Sequence, residues 1–117
     1  MGITYIDGTE RGPTGKEESV SFLVESGATY SLFPTPVWQS IGLEPTREQT
    51  FALADGTTVQ RRISECYLIL PQGETDTPVI FGEPGDETLP GVVTLEELGL
   101  VFHPFNRTLH PMRMMLA

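Results

Sequence analysis

The chain predicts a mostly-β fold in a single domain over residues 1–117, and three observations carry that prediction. Apolar residues alternate: Val20, Phe22 and Val24 share one face of residues 19–24, and Cys66, Leu68 and Leu70 share one face of residues 64–70, the two-residue period of a strand buried on one side. Asp55-Gly56, between residues 50–54 and 57–63, is a strong hairpin signal, because both central positions of a type I′ turn take a positive φ. Finally, 12 Gly and 10 Pro break the chain into short pieces, as in a turn-rich β protein.

Taken in order, Ile3, Tyr5 and Ile6 suggest a first strand over residues 1–6 that stops at the Asp7-Gly8 turn signal. Residues 9–18 are polar and glycine-rich, which predicts a loop before the strand at 19–24. Residues 29–33 form the return strand, closed by Pro34. A short helix follows at 36–41, with Thr35 as N-cap, Pro36 at the first helical position and Gly42 as the stop; Trp38 on it is a packing anchor. The hairpin arm comes next, then the strand at 64–70, a turn at 71–76, a strand at 77–81 and an acidic loop at 82–88. Thr94 and Glu97 have the spacing of a capping box for a second helix at 93–98, ended by Gly99. Residues 100–104 and 108–112 complete the chain as closing strands around Asn106-Arg107.

Composition narrows the function. A net charge of −9 with seven Lys and Arg argues against a nucleic-acid partner, since phosphate binding draws on clustered cations. Arg61-Arg62 is the one basic doublet and reads as solvated. No apolar run approaches the roughly 20 residues of a membrane span, and the first residues lack the basic segment and long apolar core of a secretory signal. The expectation is a cytoplasmic protein with no membrane partner. The single cysteine, Cys66, falls on the apolar face of its strand and reads as a small buried hydrophobe, not a nucleophile. His103 and His110 are too few for a metal site without cysteine ligands, and the acids of residues 83–87 lack calcium-loop spacing, so no metal or cofactor is expected. No nucleophile elbow is present to support a serine triad.

One stretch remains, Phe22-Leu23-Val24-Glu25-Ser26-Gly27-Ala28-Thr29-Tyr30-Ser31, in which an apolar strand runs into an acid, a hydroxyl and a glycine. A carboxylate at the end of a strand is held by backbone geometry. A neighbouring hydroxyl can brace the turn, and Gly27 permits close approach of backbone or ligand. The stretch resembles the active-site motif of the retropepsin-like aspartic proteases, in which two apolar residues precede Asp-Thr/Ser-Gly-Ala; here Leu23-Val24 precede Glu25-Ser26-Gly27-Ala28. Where the family has aspartate this chain has Glu25, one methylene longer. The second half of the resemblance is Leu89-Pro90-Gly91 before the helix at 93–98: family members pass two apolar residues and a glycine behind the catalytic loop, and Pro90 stands where another apolar residue is usual. The resemblance extends over about residues 20–112.

The resemblance implies a closed β-barrel of the retropepsin type with two short helices. Hydrolysis by acids needs two carboxyls sharing a proton, and the chain has one such motif, so the partner must come from a second copy in a two-fold homodimer. On this expectation one Glu25 per subunit forms the catalytic dyad. Ser26 braces the loop across the axis, Gly27 and Ala28 line the cleft, and Ala54, Asp55 and Gly56 form the tip of a flap over a peptide or unfolded-protein substrate. The alternative expectation is a catalytically silent homologue that binds peptide or protein as a dimer.

Overall fold

The computed structural model describes residues 5–24, 28–103, 108–113 and 116. In chain order the elements are β1 (Tyr5–Arg11), β2 (Glu17–Leu23), β3 (Ser31–Phe33), α1 (Thr35–Ser40), β4 (Arg47–Ala52), β5 (Thr58–Leu70), β6 (Gly73–Phe81), α2 (Val92–Glu97), β7 (Leu100–His103) and β8 (Thr108–Pro111). The protein is therefore mostly β with two short helices. The main sheet follows the order β2-β1-β5-β6-β3, with β4 attached to β5, and β7-β8 form a separate ribbon. All pairings are antiparallel except β3 with β6. Among the described residues no pairing joins β2 to β3, so the sheet is an open path.

The alternating residues do form the core. Val20, Phe22, Cys66, Leu68 and Leu70 are buried together with Phe33, Ile41, Leu43, Val79 and Phe81. Burying each large apolar side chain stabilises the fold by roughly 1.5–3 kcal/mol. Phe22 and Phe33 meet with ring centroids 6.0 Å apart, joining the strand before residues 25–27 to the strand after them. On β5 the buried face changes phase at Ile63 and Ser64, which are both buried. Ile63 pairs with Arg47 of β4 on one side and Ile80 of β6 on the other. One continuous strand thus leaves the hairpin arm and enters the main sheet, although its sequence reads as two.

Helix α1 starts one residue earlier than its sequence suggests, with Pro34 at the N-cap and no side-chain cap. Its end follows the Schellman pattern: Leu43 N–H donates to Trp38 O (3.0 Å) and Gly42 N–H to Gln39 O (3.1 Å). Trp38 is an anchor, its ring centroid 4.9 Å from that of Phe81 with the planes tilted at 51°, and its Nε1–H donating to Gly82 O at 3.0 Å.

Two loop expectations are corrected. Residues 9–18 are not a loop: β1 continues to Arg11 and β2 begins at Glu17, so that only the intervening residues turn. The polar residues there, Thr9 and Arg11 on β1 and Glu17 and Ser19 on β2, flank a hairpin whose outer face is solvated. Asp7-Gly8 ends nothing, because both residues pair in register with Ser21 and Val20. Likewise the turn expected at 71–76 shrinks to Pro71-Gln72, with β6 starting at Gly73 opposite Leu70.

Candidate functional site

Glu25, Ser26 and Gly27 lie outside the described residues, so the site is built from its two flanks, the segment behind them and the hairpin. Val24, the last residue before the acid motif, is buried. Just before it, Leu23 N–H donates to Thr88 O at 2.8 Å. On the far side Ala28 O and Thr29 O accept from Val92 and Val93 N–H at 2.8 and 3.0 Å. Those two N–H groups belong to the first turn of α2, where a helix has no carbonyls of its own to bond. The loop carbonyls supply them. Farther along, Leu32 and Leu89 exchange two backbone hydrogen bonds of 3.0 Å each. Residues 88–93 therefore hold the chain on both sides of the acid motif.

Gly91 is where the two segments come closest. A Cβ there would run into the Tyr30 carbonyl carbon and the Ser31 nitrogen and would stand 2.6 Å from Thr29 O. Its φ of −89° and ψ of 158° suit any residue, so the requirement for glycine is one of space. Behind the contact runs a chain of hydroxyls. Gly91 N–H donates to Ser31 Oγ (3.0 Å), Ser31 lies 2.6 Å from Thr94 Oγ1, Thr94 lies 2.6 Å from Thr77 Oγ1, and Thr77 donates to Glu97 Oε1 (2.9 Å). An N–H can only donate and a carboxylate can only accept, which sets the direction of both middle bonds: Ser31 donates to Thr94, and Thr94 to Thr77. This corrects the expected capping box. Gly91 is the N-cap of α2, no side chain caps it, and Thr94 is a buried link inside the helix.

Ala54, Asp55 and Gly56 come together at the exposed tip of the β4-β5 hairpin. The turn is not type I′. Gly56 N–H donates to Leu53 O at 3.0 Å, which makes Ala54 and Asp55 the central residues, and Leu53 N–H donates to Thr57 O at 2.7 Å. Gly56 takes the positive φ (+89°) that lets the strands rejoin. Asp55 Oδ1 accepts from Thr57 Oγ1 (2.6 Å) and Thr57 N–H (2.9 Å). These two bonds, the hydroxyl one first, hold the Asp55 carboxyl below its ordinary value. The hairpin meets the site segment through Tyr30, whose ring lies 5.8 Å from that of Phe51 on β4 and, on its face, 5.8 Å from the Arg47 guanidinium.

Sequence reasoning missed Tyr30, Phe51 and the hydroxyl chain. Tyr30 follows the motif by three residues and invites attention only once β4 is known to lie beside it. Cys66 is buried, and burial pushes its thiol up to about 12, as suits a core residue. His103 and His110 are exposed on the β7-β8 ribbon with rings 5.5 Å apart. Among the described residues no three His, Cys, Asp or Glu side chains are grouped to hold a metal ion. Among the described residues no helix is long and apolar enough to cross a membrane. Comparison with protein-family models and with curated proteins gives no match.

Proposed function

We propose that the protein is a homodimeric aspartic-type endopeptidase acting on extended peptides or unfolded protein, with an acid dyad built from one Glu25 per subunit. The observation that supports it best is the double tether: residues 88–93 bond to the chain before and after the acid motif, with Gly91 pressed against Tyr30 and Ser31. A carboxylate between two such anchors is held at low entropic cost, which acid catalysis requires. The hairpin ending in Ala54, Asp55 and Gly56 gives the flap, and an extended peptide beneath it would bind through backbone hydrogen bonds. One acid motif per chain calls for two-fold association. A closed barrel of the retropepsin type and a soluble, cytoplasmic setting belong to the same reading.

The longer arm of Glu25 favours a second reading, in which the dimer binds peptide or protein without cleaving it. Displacement of a catalytic group by about 1 Å can cost roughly 10²-fold in rate. Glu25→Asp and Glu25→Gln separate the two readings, assayed on a weakly folded protein at acidic pH after dimer mass and folding are verified. The expected result is slow cleavage by wild type, at least about tenfold faster cleavage by Glu25→Asp, and none by Glu25→Gln. Cleavage by Glu25→Asp alone establishes the silent form. If none of the three cleaves any member of a broad peptide library, the peptidase reading fails.

A further inference from the structure

Glu10 lies on the inward face of β1, opposite Glu18 on β2 and Leu68 on β5. It is completely buried, and neither Oε1 nor Oε2 has a hydrogen-bond partner. Among the described residues it is alone in this: the buried hydroxyls of Ser31, Thr77 and Thr94 are all bonded.

Among the described residues no cation faces Glu10. Arg11 points to the opposite face and pairs with Glu17 at 2.7 Å. The ionisable neighbours are the exposed Glu18 carboxyl from β2 and the buried Cys66 thiol from β5, which donates away from Glu10 to Arg11 O at 3.4 Å. An unpaired carboxylate in such a place costs several kcal/mol, and the neutral acid much less.

We propose that the fold holds Glu10 as a neutral carboxylic acid and thereby acts as a pH-dependent device, most stable in acid and progressively loosened at the β1-β2-β5 core as pH rises. Burial first, and the charge of Glu18 second, push this carboxyl from 4.5 up to about 8. Between those values the folded chain binds one proton more than the unfolded chain. Stability is therefore fully present below the unfolded value and is lost as pH rises to the folded one. Across that window the unfolding constant rises up to about tenfold per pH unit, three to four powers of ten in all. The device is independent of the catalytic reading, because it needs neither Glu25 nor a dimer.

The test is urea unfolding from about pH 4 to 9 for wild type, Glu10→Gln and Glu10→Met, none of the variants being able to ionise at this position. The expected result is a wild-type stability that falls relative to both variants between about pH 4.5 and 8 and runs parallel to them outside that window. Curves parallel throughout overturn the proposal. Should neither variant fold, the Glu10 carboxyl carbon is followed by NMR in labelled wild-type protein. A carboxyl still protonated near pH 7 supports the proposal, and one that titrates near the ordinary glutamate value of about 4.3 overturns it.

Discussion

The Tyr30 and Phe51 rings meet edge to face, 5.8 Å apart with their planes at 83°, and so bind the segment that follows the acid motif to the strand that leads into the hairpin tip. Arg47, four residues before Phe51 on the same strand, covers the face of Tyr30. Beyond its area, an aromatic pair of this geometry is worth about 0.5–1.5 kcal/mol. Phe51→Leu should therefore raise amide hydrogen exchange in β4 and the hairpin turn by roughly two- to tenfold while leaving the centre of β5 unchanged. Equal protection in the two proteins would show that the hairpin is positioned by something else.

Two glycines test space against conformation. At Gly91 the backbone angles are ordinary but the room is missing, since backbone atoms of Tyr30 and Ser31 bound it. Gly91→Ala should therefore destabilise the fold by at least about 3 kcal/mol, the upper end for overpacking, because backbone cannot turn aside as a side chain can. At Gly56 a side chain would meet open space, and the φ of +89° is the whole obstacle. Gly56→Ala should cost about 1–2 kcal/mol. Chemical unfolding of both variants ranks them, and a Gly56→Ala loss larger than that of Gly91→Ala would contradict the close crossing.

Cys66 provides an unfolding probe. Burial raises its thiol to about 12, so the reactive thiolate is scarce and inaccessible in the folded chain. A neutral thiol reagent should modify it only through opening, at a rate that rises with urea concentration and under native conditions stays far below that of a free cysteine at the same pH. Labelling at native conditions as fast as that of a free thiol would remove Cys66 from the core.

Much of this fold was legible from side-chain periodicity. The faces of Val20 and Phe22, and of Cys66, Leu68 and Leu70, follow from a two-residue alternation that only one buried side explains. Polar strand ends were not legible. Glu10 is inside the core but sits in a run of solvated residues, and no local rule buries an unpaired acid. The buried-face change at Ile63 and Ser64 looks like a boundary in sequence, because a period-2 pattern carries no record of a strand that passes between two neighbours. Thr94 illustrates the third limit: three residues before Glu97 it satisfies the spacing of a capping box, yet its hydroxyl is taken by Ser31 and Thr77 from distant strands. Local signals compete with tertiary partners that sequence separation hides.

The hydroxyl chain through Thr94 gives the final prediction. Thr94→Val preserves shape but removes the central link, leaving the Ser31 O–H without its acceptor and Thr77 without its donor, both buried. Unsatisfied buried groups cost about 1–3 kcal/mol each set, whereas Thr94→Ser keeps the hydroxyl and should lose only about 1 kcal/mol for its methyl. Because the direction of every bond is fixed by Gly91 N–H at one end and Glu97 at the other, the members act as a unit. In a double-mutant cycle Ser31→Ala should therefore cost less on a Thr94→Val background than on wild type, with a coupling of about 0.5–3 kcal/mol. Measured by urea unfolding, strictly additive losses would mean that the two hydroxyls stabilise the crossing behind the acid motif separately and that no chain operates.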